Sequence, residues 1–178
     1  MKPFQKSLIL ILLISFSIAI QAQKKKKSHP LDDINCPITQ NELLLDGKHF
    51  ASVPPLFLRV YNESAEYATV QLGKRKGNVF LFFKIFTDNT CVKQDQPLEL
   101  YFEDGEILSL KNQLKVNCDG NVVLELSVRE ITKIRSHMVN KIKLFTLNKD
   151  YEFSPTDADN KLLRDYLTCL KYYKVKND

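Results

Sequence analysis

Val79-Phe80-Leu81-Phe82-Phe83-Lys84-Ile85-Phe86 carries one charge among eight positions. Read at a period of two, Val79, Leu81, Phe83 and Ile85 point one way. Phe80, Phe82 and Phe86 point the other way, with Lys84 among them. A strand that is apolar on both faces is normally central and covered on both sides. The segment therefore predicts a core strand. The competing reading is an exposed aromatic surface for a ligand or partner.

Outward from this strand the chain reads as antiparallel β from Leu56 to Val128, in short runs punctuated by Gly and Asp-Gly. Leu56–Tyr61 and Tyr67–Leu72 precede it, the latter followed by a loop Gly73-Lys74-Arg75-Lys76-Gly77-Asn78. After it come Leu98–Glu103 and Glu106–Leu110, joined by Asp104-Gly105, then Leu114–Cys118 and Asn121–Val128, joined by Asp119-Gly120. Asp-Gly favours type I′ turns, because both central residues accept φ > 0, so two of them predict a meander. Lys141–Leu147 and Tyr151–Phe153 form a further expected hairpin around Asn148-Lys149-Asp150.

Two helices are expected. Val128–Val139 places Ile131, Ile134 and Met138 on one face. Asp157–Tyr173 repeats Leu162, Leu163, Tyr166, Cys169, Leu170 and Tyr173 at three- and four-residue spacing. Thr156 is its expected N-cap, with Asp159 completing an acidic capping box. Asp157 and Asp159 suit the positive end of the helix dipole, and Lys171, Lys174 and Lys176 the negative end.

The length of 178 residues, with 44% hydrophobic content, fits one domain with an extension. The formal charge is +5, but it is unevenly placed. Residues 28–178 hold 20 basic and 21 acidic groups, a net −1. The surplus sits at the start. Lys2 and Lys6 precede an apolar stretch, Leu8 to Ile20, and Ile20-Gln21-Ala22 ends in a small residue. Residues 1–22 thus read as a secretory signal peptide, too short in its apolar run to span a bilayer. Gln23, not Cys, follows the expected cleavage point, so a lipoprotein anchor is disfavoured. Residues 23–35, with Lys24, Lys25, Lys26 and Lys27, read as a basic flexible tether. Residues 36–178 read as a single β-rich domain.

Cys36, Cys91, Cys118 and Cys169 all lie beyond the signal segment, and an even number in an exported chain suggests disulfides. Three pairings are open. The placement of Cys91 and Cys118 near strand ends of one meander favours that pair, leaving Cys36 to pin the N-terminal segment to the last helix through Cys169. Buried thiols are the competing reading. Without a CxxC, thioredoxin-like redox chemistry and zinc-ribbon binding have little support.

Catalytic signatures are sparse. His29, His49 and His137 form no HxH or HExxH pair. There is no Gly-x-Ser-x-Gly elbow and no Gly-rich phosphate loop. Glu103, Asp104 and Glu106 gather at a hairpin tip, where a two-residue turn would make Glu103 and Glu106 cross-strand neighbours. Calcium is one reading of that tip and a solvated turn the other. Lys74, Arg75 and Lys76 form a basic loop suited to phosphate or acidic sugar, but without the interleaved aromatics that nucleic-acid binding favours. Asn62-Glu63-Ser64 matches a glycosylation sequon, relevant only in a eukaryotic secretory route.

The segment ending Gln21-Ala22-Gln23, the lysine-rich start and the β runs resemble small exported proteins common in Bacteroidota, largely domains of unknown function. So does the tail from Ile142-Lys143-Leu144-Phe145-Thr146 to Tyr166-Leu167-Thr168-Cys169-Leu170. The resemblance supplies no catalytic residue to carry over.

The expected protein is thus exported, periplasmic or secreted, with no transmembrane segment after cleavage. It is mainly β (α+β): an antiparallel meander, sandwich-like or strongly curved, with a short helix and a C-terminal helix packed on the sheet. Its expected role is a non-enzymatic binding module for an envelope protein or glycan, without nucleic acid, cofactor or metal. One rival is an enzyme using Glu99, Glu103 or Glu106 as acid or base. The other is an electrostatic binder of anionic surfaces through Lys24–Lys27 and Lys74–Lys76. The tether version of that rival predicts retention on anionic vesicles that falls steeply with salt. Replacing Lys24, Lys25, Lys26 and Lys27 by Ala should abolish the retention, and unchanged retention would reject it.

Overall fold

The computed structural model describes residues 31, 34–45, 48–59, 67–87 and 90–176. The signal segment, the lysine run, His29, the sequon and the Asp46-Gly47 turn lie outside the described residues. The elements in order are β1 (Thr39–Leu45), β2 (Lys48–Ser52), β3 (Leu56–Arg59), β4 (Tyr67–Arg75), β5 (Asn78–Phe86), β6 (Pro97–Phe102), β7 (Ile107–Lys111), β8 (Asn121–Leu126), α1 (Val128–Ser136), β9 (Val139–Phe145), β10 (Asp150–Phe153) and α2 (Asp157–Tyr172). They form two antiparallel sheets. The first runs β1-β2-β4-β5-β8, with β3 sharing one edge of β4 with β2, and the second runs β10-β9-β6-β7.

The period-two pattern of β5 sets the layers. Val79, Leu81, Phe83 and Ile85 are buried. Their register partners on β4 are Lys74, Leu72, Val70 and Ala68. On the other side Val79, Leu81 and Phe83 meet Leu126, Leu124 and Val122 of β8. The second sheet turns Leu98, Leu100, Leu110, Ile142, Leu144 and Phe153 into the same core. Phe83 meets Phe153 edge to face at 5.1 Å, one contact by which the two inner faces join. α2 adds Leu163, Tyr166, Leu167 and Leu170 to this core, and α1 adds Ile134. Among the described residues the chain is therefore mainly antiparallel β in a sandwich-like arrangement, with two helices, as its sequence predicts.

Both helices start on full capping boxes, Ser127 with Glu130 and Thr156 with Asp159. α1 ends at Ser136, short of the expected Val139. His137 and Met138 then lead straight into β9, which starts at Val139.

Several expected details change. The β runs are not one meander, because β6 and β7 leave the first sheet and pair with β9 in the second. The I′ geometry lies at neither Asp-Gly. It lies at Lys76 and Gly77, with φ of 47° and 77°, which join Arg75 to its partner Asn78. The expected basic loop thus becomes strand up to Arg75. At Asp104-Gly105 only Gly105 has positive φ, 82°. Its N–H donates to Phe102 O, while Phe102 N–H donates to Glu106 O, the pattern of a longer loop with a glycine bulge. Glu103 and Glu106 are consequently not a register pair. Leu114–Cys118 is irregular rather than a strand. Gly120 is needed for close approach: a Cβ there would lie 2.6 Å from Ile85 Cγ2. β1 and β2 were not foreseen, since Gln40, Asn41, Glu42, Lys48 and His49 are weak strand formers.

Two disulfides staple the chain, Cys36–Cys169 and Cys91–Cys118. The second is flanked by the bridges Thr90–Asp119 and Val92–Asn117. Loop-closure entropy scales with the sequence separations of 133 and 27, giving about 5 and about 3.5 kcal/mol respectively.

Two buried asparagines complete the framework. Asn160 on α2 accepts from Val139 N–H (2.8 Å) and donates to Val139 O (3.0 Å), extending the start of β9 as a strand would. Asn112 is 0% exposed. Its amide donates to Lys93 O and Leu114 O, and its carbonyl accepts from Leu114 N–H and Val123 N–H. One side chain thus ties two loops to β8. Asn112→Ala should lower unfolding free energy by about 3 kcal/mol, because it strands several buried backbone groups. Chemical denaturation of the oxidised protein measures this.

Candidate functional site

The outward face of the first sheet carries the second set of Val79–Phe86 side chains, with Phe80 buried, Phe82 half-buried and Phe86 exposed. Phe80 and Phe82 of β5 lie beside Val123 of β8, the register partner of Phe82. Phe50 of β2 stands over β4 at Gly73, where a Cβ would sit 2.2 Å from the Phe50 ring. Gly73 is therefore what lets Phe50 lie down on the sheet. Phe50 and Phe82 meet edge to face at 5.5 Å, and Phe80 and Phe82 are 6.3 Å apart. Gln113 and Leu114 form the far wall, held by Gln113 N–H donating to Val123 O at 2.9 Å. The result is a groove of about 370 Å³ lined by Phe50, Arg75, Phe80, Phe82, Gln113, Leu114 and Val123. Arg75 is the one charged residue in that lining. Its guanidinium lies 5.4 Å from the Phe80 ring centre, a cation–π position.

The aromatic surface continues along the same face. Tyr67 and Phe86 are register partners and stack at 4.7 Å. They are 42% and 40% exposed, and Phe57 on β3 is 66% exposed. Coverage of β5 is thus complete on its inner face and partial on its outer face.

The three basic candidates separate. Lys74 turns inward, and its ammonium donates to Leu170 O (2.9 Å) and Tyr173 O (2.8 Å), carbonyls at the end of α2. It closes the helix and satisfies its negative terminus. Arg75 faces outward on the groove, and Lys76 occupies the turn. The cysteines are consumed by the two disulfides.

The acidic tip is bound to α1. Lys133 Nζ sits 2.5 Å from Asp104 Oδ2 and 2.6 Å from Glu106 Oε2, taking the position a cation would fill. His137 Nε2 lies 3.2 Å from the same Asp104 oxygen. Glu103 faces Met138, its N–H donating to Met138 O at 3.0 Å. Among the described residues no group of three or more His, Cys, Asp and Glu side chains is placed to hold a metal.

Glu99 lies on the outer face of the second sheet and accepts from Tyr101 OH at 2.6 Å. That bond, with burial adding to it, pushes the Tyr101 hydroxyl up to about 12. Lys141 is 4.5 Å from the Tyr101 ring centre and 3.3 Å from Glu152. The three carboxylates named for acid–base work are thus dispersed: Glu99 is paired with a tyrosine, Glu106 with Lys133, and Glu103 lies against a strand start.

Phe50, Gly73, Gln113, Leu114 and Val123 were not singled out in the sequence. The alternation in β5 pointed to their shared face, but the walls come from β2 and from the 112–118 loop, which only pairing brings near. No family model, curated protein or solved structure matches the chain.

The Asp104–Lys133 joint gives a pH prediction. The Lys133 ammonium, helped by Glu106 N–H, holds the Asp104 carboxyl below its ordinary value of 3.8. A depressed folded value means that the charged carboxylate stabilises the fold above the unfolded value, and that this contribution fades as pH falls through the folded one. Asp104→Asn should therefore lower Tm at neutral pH, and the gap from wild type should close as pH drops below 3.8. Thermal melts across pH 2–7 test this.

Proposed function

We infer that this chain is an exported, non-enzymatic binding module, and that the outer groove of its first sheet is its ligand site. The observation that carries this reading is the groove lining: apolar and aromatic residues around one guanidinium and one carboxamide. Ligand sites commonly combine an apolar cavity with a few convergent polar groups. The ligand class follows from that chemistry. It is a small apolar molecule, ring-bearing or chain-like, with an anionic or acceptor group that meets Arg75. Export agrees with the two disulfides and with the lysine-flanked apolar segment at the start. Among the described residues no helix is long and apolar enough to cross a membrane.

Two fluorescent probes test the reading. Anilinonaphthalene sulfonate has an aromatic body and an anion, and N-phenyl-1-naphthylamine is its uncharged counterpart. The oxidised protein should bind the sulfonate saturably at one site. Val123→Glu sets a carboxylate in the floor and should abolish binding of both probes. Arg75→Gln should weaken the sulfonate by about tenfold and spare the uncharged probe. Circular dichroism checks that both variants keep the fold. Binding that never saturates, or that ignores Val123→Glu, rejects the groove as the site.

A further inference from the structure

Among the described residues the second sheet ends on β7, which pairs there with β6 alone. The bonds at both ends of this hairpin fix which backbone groups β7 leaves over. Phe102 N–H donates to Glu106 O at 3.0 Å, and Asn112 N–H donates to Gln96 O at 3.1 Å. The alternation of an antiparallel ladder then turns the amides and carbonyls of Leu108 and Leu110 toward β6. Those of Ile107, Ser109 and Lys111 turn away from it. All three of these residues are exposed, and Ile107 is 55% exposed. An edge with its donors and acceptors outward is a template for another strand.

The charge along β7 selects the strand. Glu103, Asp104 and Glu106 cluster just before it, three carboxylates against the single Lys133 ammonium that bridges Asp104 and Glu106, so the tip keeps a negative surplus, and Lys111 ends it. A second copy laid parallel would set like charge beside like. A second copy laid antiparallel sets each Lys111 toward the partner's acidic tip, twice over. A two-fold axis through Ser109 places Ser109 opposite itself, Ile107 opposite Lys111 and Leu108 opposite Leu110. No pair in that register joins like charges, the arrangement that cross-strand pairing favours.

We propose that β7 is a homodimerisation edge, two copies pairing antiparallel about Ser109 so that their four-stranded second sheets become one continuous sheet. The main-chain groups of Ile107, Ser109 and Lys111 supply the bonds. The space between β7 and α1, about 300 Å³ and lined in part by Ile107, Leu108, Ser127 and Arg129, runs beside the joint. A five-residue edge buries less than the roughly 1,200 Å² of a stable interface. The dimer is therefore one that forms with rising concentration.

Sedimentation velocity over a roughly hundredfold concentration range should show the mean mass climbing from monomer toward dimer. Hydrogen exchange over the same range should slow at the amides of Ile107, Ser109 and Lys111. Ser109→Asp brings two carboxylates together on the axis and should weaken the dimer by about tenfold or more. Lys111→Glu repels the acidic tip and should weaken it too. Both side chains face solvent, so unchanged circular dichroism separates loss of pairing from loss of fold. A protein that stays monomeric throughout overturns the proposal. So does a dimer indifferent to both substitutions, or protection of these amides without any gain in mass.

Discussion

Burial of one face of β5 is the constraint on which the rest of the structure depends. Val79, Leu81, Phe83 and Ile85 need apolar partners on both flanking strands and on a facing layer. Ala68, Val70 and Leu72 of β4 and Val122, Leu124 and Leu126 of β8 supply the flanks. The second sheet and α2 supply the facing layer. Phe83 against Phe153 is one contact where the two sheets meet. Once that layer closes, the opposite face of β5 cannot also be covered by the same elements. Its aromatics are left to Phe50 and to the 112–118 loop, and the partial cover they give is the groove.

This trade explains where special residues gather. Gly73 gives up its side chain so that Phe50 can lie on β4. Asn112 is the buried hub that holds the 112–118 loop as the far wall. Neither residue is part of the inner core, yet the site has no shape without them.

The periodic elements were the legible part of the chain. The alternation in β5 and the Thr156 cap depend on residues near one another, and both are present; the stripe in α2 holds at Leu163, Tyr166, Cys169 and Leu170, while Leu162 is exposed and Leu167 enters the core. The favoured cysteine pairing also forms, although Cys91 and Cys118 are held between two isolated bridges of irregular segments and not at strand ends. Legibility failed where the answer depends on partners far apart in sequence. Two Asp-Gly pairs pointed to I′ turns, but one became a glycine-bulge loop and the other a close approach to Ile85. Lys74 looked like a solvent-facing loop cation. Its neighbour in space, the end of α2, lies nearly a hundred positions on, and no local pattern reveals it. The acidic tip read locally as either a calcium site or a solvated turn, and neither pattern reveals Lys133, which reaches it from α1.

The Cys36–Cys169 bond has a mechanical side. It closes a covalent loop that holds every described strand, and leaves outside it the chain ahead of Cys36, the last turn of α2 and the tail. Tension applied through the chain ahead of Cys36 passes across the sulfurs into α2 and does not peel β1 from β2. If the lysine-rich stretch is held at a surface, the load is borne by a helix seated in the core and held at its end by Lys74. The sheets, and the groove on their outer side, stay out of the line of force.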